Sequence, residues 1–297
     1  MSSAARYLDP NLIQRLNKLS LTARRIVEGT AGGLHRSQLK GASVEFRQHR
    51  SYVAGDEPRR IDWRVLARTD RHYIREFQEE TNLRAAILMD RSGSLSYGSR
   101  LGSKYEYGAR ATAALAYLML AQAESVGLAM FGNGIEQWLK PQSYRIQLSR
   151  IIELLENGRP AGYSDPAAAM HGLADRLERR SLVILVSDLF APIPRIREGL
   201  ARLRYERHEV IVMQVLDPDE IQFPFRGFFR FNGLEGERSS LIDAVLLRNS
   251  YLRNFKRHQE QLKVACRTLG VEFAQLTTDL PLDSALVWFL TRRLQRG

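Results

Sequence analysis

Cysteine is almost missing from this chain: Cys266 is the only one in 297 residues. A lone thiol excludes an intramolecular disulfide framework and any multi-cysteine zinc centre. A bridge-free chain of this size fits a reducing compartment, so a cytoplasmic location is the expectation. Histidine is scarce too, and none of the six (His35, His49, His72, His171, His208, His258) stands three or four residues from another. The usual helical metal-binding pair is therefore absent. Long apolar runs are also lacking. The most membrane-like stretch, Ala111 to Ala123, is only 13 residues long and runs straight into Glu124 and Ser125. A bilayer crossing takes about 20 such residues, so this stretch reads as a buried helix and no transmembrane segment is expected. The first residues reach Asp9 and Pro10 without an apolar core, which argues against a signal peptide. No internal repeat and no low-complexity tract is present.

What the chain does have is arginine. The formal charge is +11, and of 44 basic residues only six are lysine (Lys18, Lys40, Lys104, Lys140, Lys256, Lys263). Such an excess favours acidic partners. No block of five basic residues occurs, however, and acids are interspersed, which describes a solvated surface equally well. The hydrophobic fraction of 44% is ample for a core.

Patterning divides the chain into three. Residues 1–33 form an N-terminal helical segment, with Leu12, Ile13, Leu16, Leu19 and Leu21 at helical spacing and Gly29, Gly32 and Gly33 ending it. Residues 34–82 alternate polar and apolar and form a small β-rich subdomain. From residue 83 to 297 the rhythm becomes strand, helix, strand, helix. Strands are predicted at 85–89, 127–131, 181–187, 210–216 and 271–276. Helices are predicted at 105–125, 144–156, 166–177, 193–205, 249–269 and 282–296. Continuous Val/Ile/Leu strands between amphipathic helices predict an α/β fold, a doubly wound and mostly parallel sheet covered on both faces. The aromatic segment 220–248 breaks the rhythm. It reads as a β-hairpin that leaves this domain and joins the 34–82 subdomain. Cys266, Trp288 and Phe289 read as packing residues.

In such a sheet, ligands bind beyond the carboxyl ends of the strands where the strand order reverses. The apolar run 85–89 ends in Asp90-Arg91-Ser92-Gly93-Ser94, and the run 181–186 ends in Ser187-Asp188. Between them, Ser164 precedes a helix and could offer its hydroxyl to a ligand or cap that helix. Asp90, Ser92, Ser94, Ser164 and Asp188 make an all-oxygen set, suited to Mg²⁺ first, with Mn²⁺ or Ca²⁺ as alternatives, rather than to zinc. A cation held by two carboxylates keeps an open position, and a partner's Asp or Glu would complete it. The same set is poorly equipped for hydrolysis: no histidine lies nearby and no second carboxylate cluster is present. Ser92 lacks the leading glycine of a nucleophile elbow, and Gly98 to Lys104 breaks the phosphate-loop spacing. No catalytic residue is expected.

Asp90-x-Ser92-x-Ser94, Ser164 and Asp188 together resemble the metal-ion-dependent adhesion site (MIDAS) of von Willebrand factor A-type domains, with Ser164 where threonine is usual. Upstream, the run Glu45-Phe46-Arg47-x-x-Arg50-x-Tyr52-x-x-Gly55-Asp56-x-x-Arg59-x-Ile61-Asp62-Trp63-x-x-x-Ala67-Arg68 closely resembles the signature of the bacterial domain of unknown function 58 family. The resemblance covers nearly the whole chain. It implies a von Willebrand factor A-like fold in which Ser92, Ser94 and Ser164 bind the ion directly while Asp90 and Asp188 act through water. It also implies a bacterial protein-binding adaptor that works with a MoxR-type AAA+ ATPase in protein assembly or maturation. The signature residues themselves read as an ion-pair scaffold around Trp63 and Tyr52 ahead of a docking surface. The rival reading, a nucleic-acid binder with an arginine-rich surface, has no helix-turn-helix, zinc-finger or RNA-binding signature behind it.

Overall fold

The computed structural model describes residues 83–286 apart from 101, residues 7, 8, 13, 14, 62, 63, 65 and 68, and the strands 44–51 and 73–79. The chain divides into two compact units: Met1–Thr30 with Leu83–Gly297, and Ala31–Asn82.

In the smaller unit, β1 (Val44–Ser51) and β2 (Tyr73–Glu79) pair antiparallel, with a bulge between Phe46 and Gln48. Asp62 is buried, and the Val65 N–H donates to its backbone carbonyl at 3.1 Å. Trp63 is 61% exposed. Tyr52, Arg50, Arg59 and Arg60 lie outside the described residues.

The larger unit is built on a sheet of six strands: β3 (Arg84–Asp90), β4 (Ser125–Phe131), β5 (Ile135–Gln142), β6 (Leu182–Ser187), β7 (Glu209–Leu216) and β10 (Glu272–Thr277), in the order β10-β7-β6-β3-β4-β5. All neighbours are parallel except β5, which folds back antiparallel on β4 at the edge. This is the doubly wound, mostly parallel α/β architecture. From the central β3 the chain steps first to β4 on one side and then to β6 on the other. The order therefore reverses between β3 and β6, and a crevice opens where loops leave those two strand tips in opposite directions.

Helices α1 (Lys104–Ala121) and α2 (Ile146–Asn157) cover one face, and α3 (Pro166–Ala174), α4 (Ile193–Tyr205) and α6 (Ala244–Thr268) cover the other. The period-2 pleat splits β3 between two cores: Ala85, Ile87 and Met89 face the first, Ala86 and Leu88 the second, all fully buried. Truncating a buried Ile such as Ile87 to Ala would cost about 2–5 kcal/mol. Tyr7 and Leu8 are buried in the first core and Ile13 packs against it. The rest of the expected 1–33 helix, and Trp288 and Phe289, lie outside the described residues. Cys266 is buried in the second core, where its surroundings push the thiol up to about 12. No helix among the described residues is long and apolar enough to cross a membrane.

Two elements depart from expectation. β5 carries Glu136, Lys140 and Pro141, and such polar, proline-bearing composition suits only an edge strand. α6 starts at Ala244, capped by Asp243, five residues earlier than its apolar spacing implied. The aromatic hairpin is present as β8 (Phe228–Phe231) and β9 (Ser240–Asp243), following the short helix α5 (Pro218–Gln222), but it belongs to the larger unit rather than leaving it for the 34–82 subdomain as expected, because its rings pack on Tyr251 of α6. Its root is a ring cluster: Phe223 lies 5.1 Å from Phe225 and 4.7 Å from Tyr251 of α6, and Phe225 lies 5.2 Å from Phe229.

A candidate metal centre at the strand tips

Asp90 ends β3 almost wholly buried, at 1% exposure. One carboxylate oxygen accepts the Ser92 N–H at 2.8 Å, and the other accepts the Ser187 hydroxyl at 2.6 Å and, at the limit of bonding, the Ser164 hydroxyl at 3.5 Å. Ser92 and Ser94 hydroxyls are 3.0 Å apart. Four of the five expected residues thus meet around one carboxylate. Burial, and then the negative charge of Asp188, hold the Asp90 carboxyl well above its usual range, with the Ser187 and Ser92 bonds offsetting only part of this. A nearby cation would relieve that cost.

Local sequence explains the convergence. After β3 the chain enters a 3₁₀ turn (Gly93–Ser96). Backbone bonds from Gly93 N–H to Gly162 carbonyl (2.8 Å) and from Ala161 N–H to Arg91 carbonyl (3.0 Å) tie that turn to the loop carrying Ser164. The role left open for Ser164 resolves itself: the next residue, Asp165, caps α3 through Ala167 and Ala168 N–H groups at 3.0 and 3.1 Å. The Ser164 hydroxyl is therefore not consumed in capping and turns toward Asp90. Burial opposes the charged form of Asp165, but the Arg195 guanidinium at 2.7 Å and those two N–H bonds prevail and hold its carboxyl below the ordinary value.

Asp188, the fifth residue, comes from the tip of β6. Its carbonyl accepts from Gln214 at 2.8 Å. Leu189, which follows it and is buried, adopts a left-handed φ of 57°, a conformation that costs a branched residue about 1–3 kcal/mol. That strained turn is held by the Leu189 N–H on the Ser187 hydroxyl (3.0 Å) and by His258 donating to the Leu189 carbonyl (2.9 Å).

The Asp188 carboxylate already has a cationic neighbour that sequence reasoning missed. Lys104, fully buried, donates to Asp188 at 2.7 Å and to Glu220 at 2.5 Å, and its ammonium lies 5.1 Å from the Phe190 ring centre. Burial disfavours the ammonium, but Asp188 and then Glu220 outweigh it and raise the lysine above its ordinary value. A signal was present. Lys104 is the first residue of α1, between the two partners of the Ser103–Glu106 capping box, and a cation at the positive end of a helix dipole needs an acid partner. Ser187 and Glu220 were likewise not singled out, because only the tertiary fold brings them here.

Does this set fit a metal ion? Among the described residues no three of His, Cys, Asp and Glu are grouped so that they could hold a metal ion by themselves. Two carboxylates and several serine hydroxyls remain, a hard-oxygen set of low charge that matches an ion retaining much of its own water, as Mg²⁺ does. One Asp188 oxygen is committed to Lys104, so Asp90 and the hydroxyls of Ser92, Ser94 and Ser164, with the other Asp188 oxygen, are the groups that would hold it. Beside the site, Phe190, Tyr251, Phe255, Arg257 and His258 line a groove of about 520 Å³.

A mostly parallel α/β unit with serine and aspartate at its reversal point is thus the architecture in hand. Residues 48–261 match the family model described as "Protein of unknown function DUF58", and the chain belongs to that family. It is 29% identical over 296 residues to the uncharacterized protein Rv1480 of Mycobacterium tuberculosis, covering 97% of this chain and 92% of that one. Over 135 residues it is 29% identical to the uncharacterized protein MAV169 of Mycobacterium avium, covering 45% of this chain and 78% of that one. Solved structures similar to it include an aerotolerance-related membrane protein from Bacteroides fragilis (TM-score 0.48, 14% identical, 72% of this chain and 100% of that one). BatB from Bacteroides thetaiotaomicron gives a TM-score of 0.46 at 13% identity (72% and 100%), and the SpRpn10 VWA domain 0.42 at 12% (69% and 94%).

Proposed function

We propose that this protein is a protein-binding adaptor whose Asp90, Ser92, Ser94, Ser164 and Asp188 form a MIDAS-type site for a divalent cation, Mg²⁺ by preference. A partner's Asp or Glu would complete the coordination. The observation that carries this reading is Asp90: a buried carboxylate, placed where the sheet order reverses, destabilised as an anion and ringed by hydroxyls. This chain's residues would hold the ion and keep one side of it open, and the ion would supply a Lewis-acidic contact for the incoming carboxylate. We assign the site to recognition rather than turnover. The family resemblance leads us to propose a MoxR-type AAA+ ATPase as working partner, in the assembly or maturation of other proteins.

The test is a titration of Mn²⁺ and Mg²⁺ into the wild type and into Asp90→Ala. Saturable binding by the first and none by the second is expected; equal behaviour of the two sinks the proposal. Capture of an ATPase from the native organism in Mg²⁺ but not in EDTA would identify the partner.

A further inference from the structure

The tip of the β8–β9 hairpin touches the Asp90–Ser94 loop, although it lies about 140 residues further along the chain. Two independent contacts put it there. A Cβ at Gly93 would collide with the Leu234 carbonyl, so the turn between Ser92 and Ser94 accepts glycine because the hairpin backbone lies against it. Next to that contact, Glu235 reaches the Ser94 N–H through Oε1 at 3.4 Å. The tip is shaped for this. Gly236, at φ 106°, lets the chain turn, and the Glu237 carboxylate accepts the Glu235 N–H at 3.1 Å. At the other end the hairpin is anchored by the Phe223, Phe225 and Tyr251 rings, and Arg248 donates to the Phe223 carbonyl at 3.2 Å. The root is thus fixed by rings, while the tip is polar and glycine-bearing.

We propose that Glu235 is the chain's own occupant of the recognition face: an internal acid group seated where a partner's Asp or Glu would bind, so that a partner must displace the hairpin tip. This rests on the divalent-ion reading above and deepens it. The chemistry of the contact is that of the expected partner, a carboxylate brought to the hydroxyl loop. Contact with the backbone N–H of Ser94 orients that carboxylate beside a hydroxyl assigned to the ion. Leu234, 44% exposed, leaves the outer side of the tip open to an incoming chain.

The experiment uses full-length protein loaded with Mn²⁺, free ion counted by electron paramagnetic resonance and exchangeable inner-sphere water read from water-proton relaxation. Sodium acetate serves as the carboxylate probe. In wild type, acetate is expected to leave the relaxation unchanged, because the place is taken. Glu235→Gln is expected to relax water more strongly per bound Mn²⁺, by about one inner-sphere water, and acetate should then reverse the gain. Glu237→Gln removes the same charge from the same tip and is expected to behave as wild type. If Glu235→Gln and wild type relax water equally and both respond to acetate, the hairpin is not an occupant, though the ion site stands. An equal rise in Glu237→Gln would mean that charge alone is at work, which also overturns it. Failure of every form to bind Mn²⁺ removes the ion site itself, and this inference with it.

Discussion

Of the aspartates at the carboxyl tips of parallel strands in this sheet, Asp90 at the end of β3 and Asp217 after β7 make the sharpest contrast, and both are essentially buried. Asp217 is saturated with donors: the Ser99 N–H (2.9 Å) and hydroxyl (2.6 Å), the Asp219 N–H (2.9 Å) and the Thr278 hydroxyl (3.0 Å). It also forms a capping box with Glu220 at the start of α5. Burial opposes its charge, but these donors prevail and hold its carboxyl below the ordinary range. Asp90 has one backbone donor, one close hydroxyl and a remote one, and it faces Asp188; its carboxyl moves the other way. The position in the fold is the same and the outcome is opposite. A strand-tip aspartate met by four close donors is a structural fastening, whereas one with two close donors and a second acid facing it is short of positive charge.

The strongest way to break this contrast is to remove the positive charge already present. Lys104→Met leaves Asp188 and Glu220 buried without their counter-ion, and a loss of about 3–5 kcal/mol is expected, read as a lowered urea midpoint. If the site binds a divalent ion, Mg²⁺ should recover part of that loss, because it supplies charge next to Asp188. A midpoint unmoved by the substitution would mean that the Lys104 cluster carries no stability.

Asp217→Asn is next in size. It replaces a carboxylate with four donors by an amide that cannot accept all of them, at an expected cost of about 2–4 kcal/mol. Here Mg²⁺ should restore nothing. The pH dependence follows from the lowered folded value. Unfolded aspartate titrates near 3.9, so the wild-type advantage over Asp217→Asn should be complete above about pH 4. It should then fade as pH falls through the lower folded value. Urea midpoints for both proteins near neutrality and below about pH 3 measure this. A constant difference across that range would show that Asp217 is not held as an anion by its donors.

The same contrast shows which features were legible in the sequence. Strands β3, β4, β6, β7 and β10 announce themselves as short runs of Val, Ile and Leu because both faces of the sheet are covered. Asp90, Ser92, Ser94 and Asp188 stand out as oxygen donors at the ends of buried runs, and Ser164 as a hydroxyl on the loop between them. β5 escaped notice because an edge strand needs no apolar run. The partners that decide each aspartate's character are harder to read. Ser99 and Thr278 reach Asp217 from other loops, and Ser187 and Lys104 reach the two site aspartates from elements whose neighbours only the strand order reveals. The hairpin was legible as a hairpin from its aromatics. That its tip carries an acid to the site loop was not, since nothing local to Glu235 separates it from any other surface glutamate.

The finest test concerns the hydroxyl that distinguishes this site from the threonine-bearing pattern it resembles. Ser164 is buried, yet its bond to Asp90 is long at 3.5 Å, as expected of a side chain with three accessible rotamers and no second substituent to fix one. Ser164→Thr keeps the donor and stiffens χ1. Fixing one rotor beforehand is worth about 0.5 kcal/mol, so about a twofold gain in Mn²⁺ affinity is expected by calorimetry. Loss of affinity would show that the added methyl collides within the loop. Thr278 already supplies a β-branched hydroxyl to Asp217 at 3.0 Å, without a metal role. A gain confined to position 164 would therefore mark the first aspartate, and not the second, as the one whose hydroxyls work for an ion.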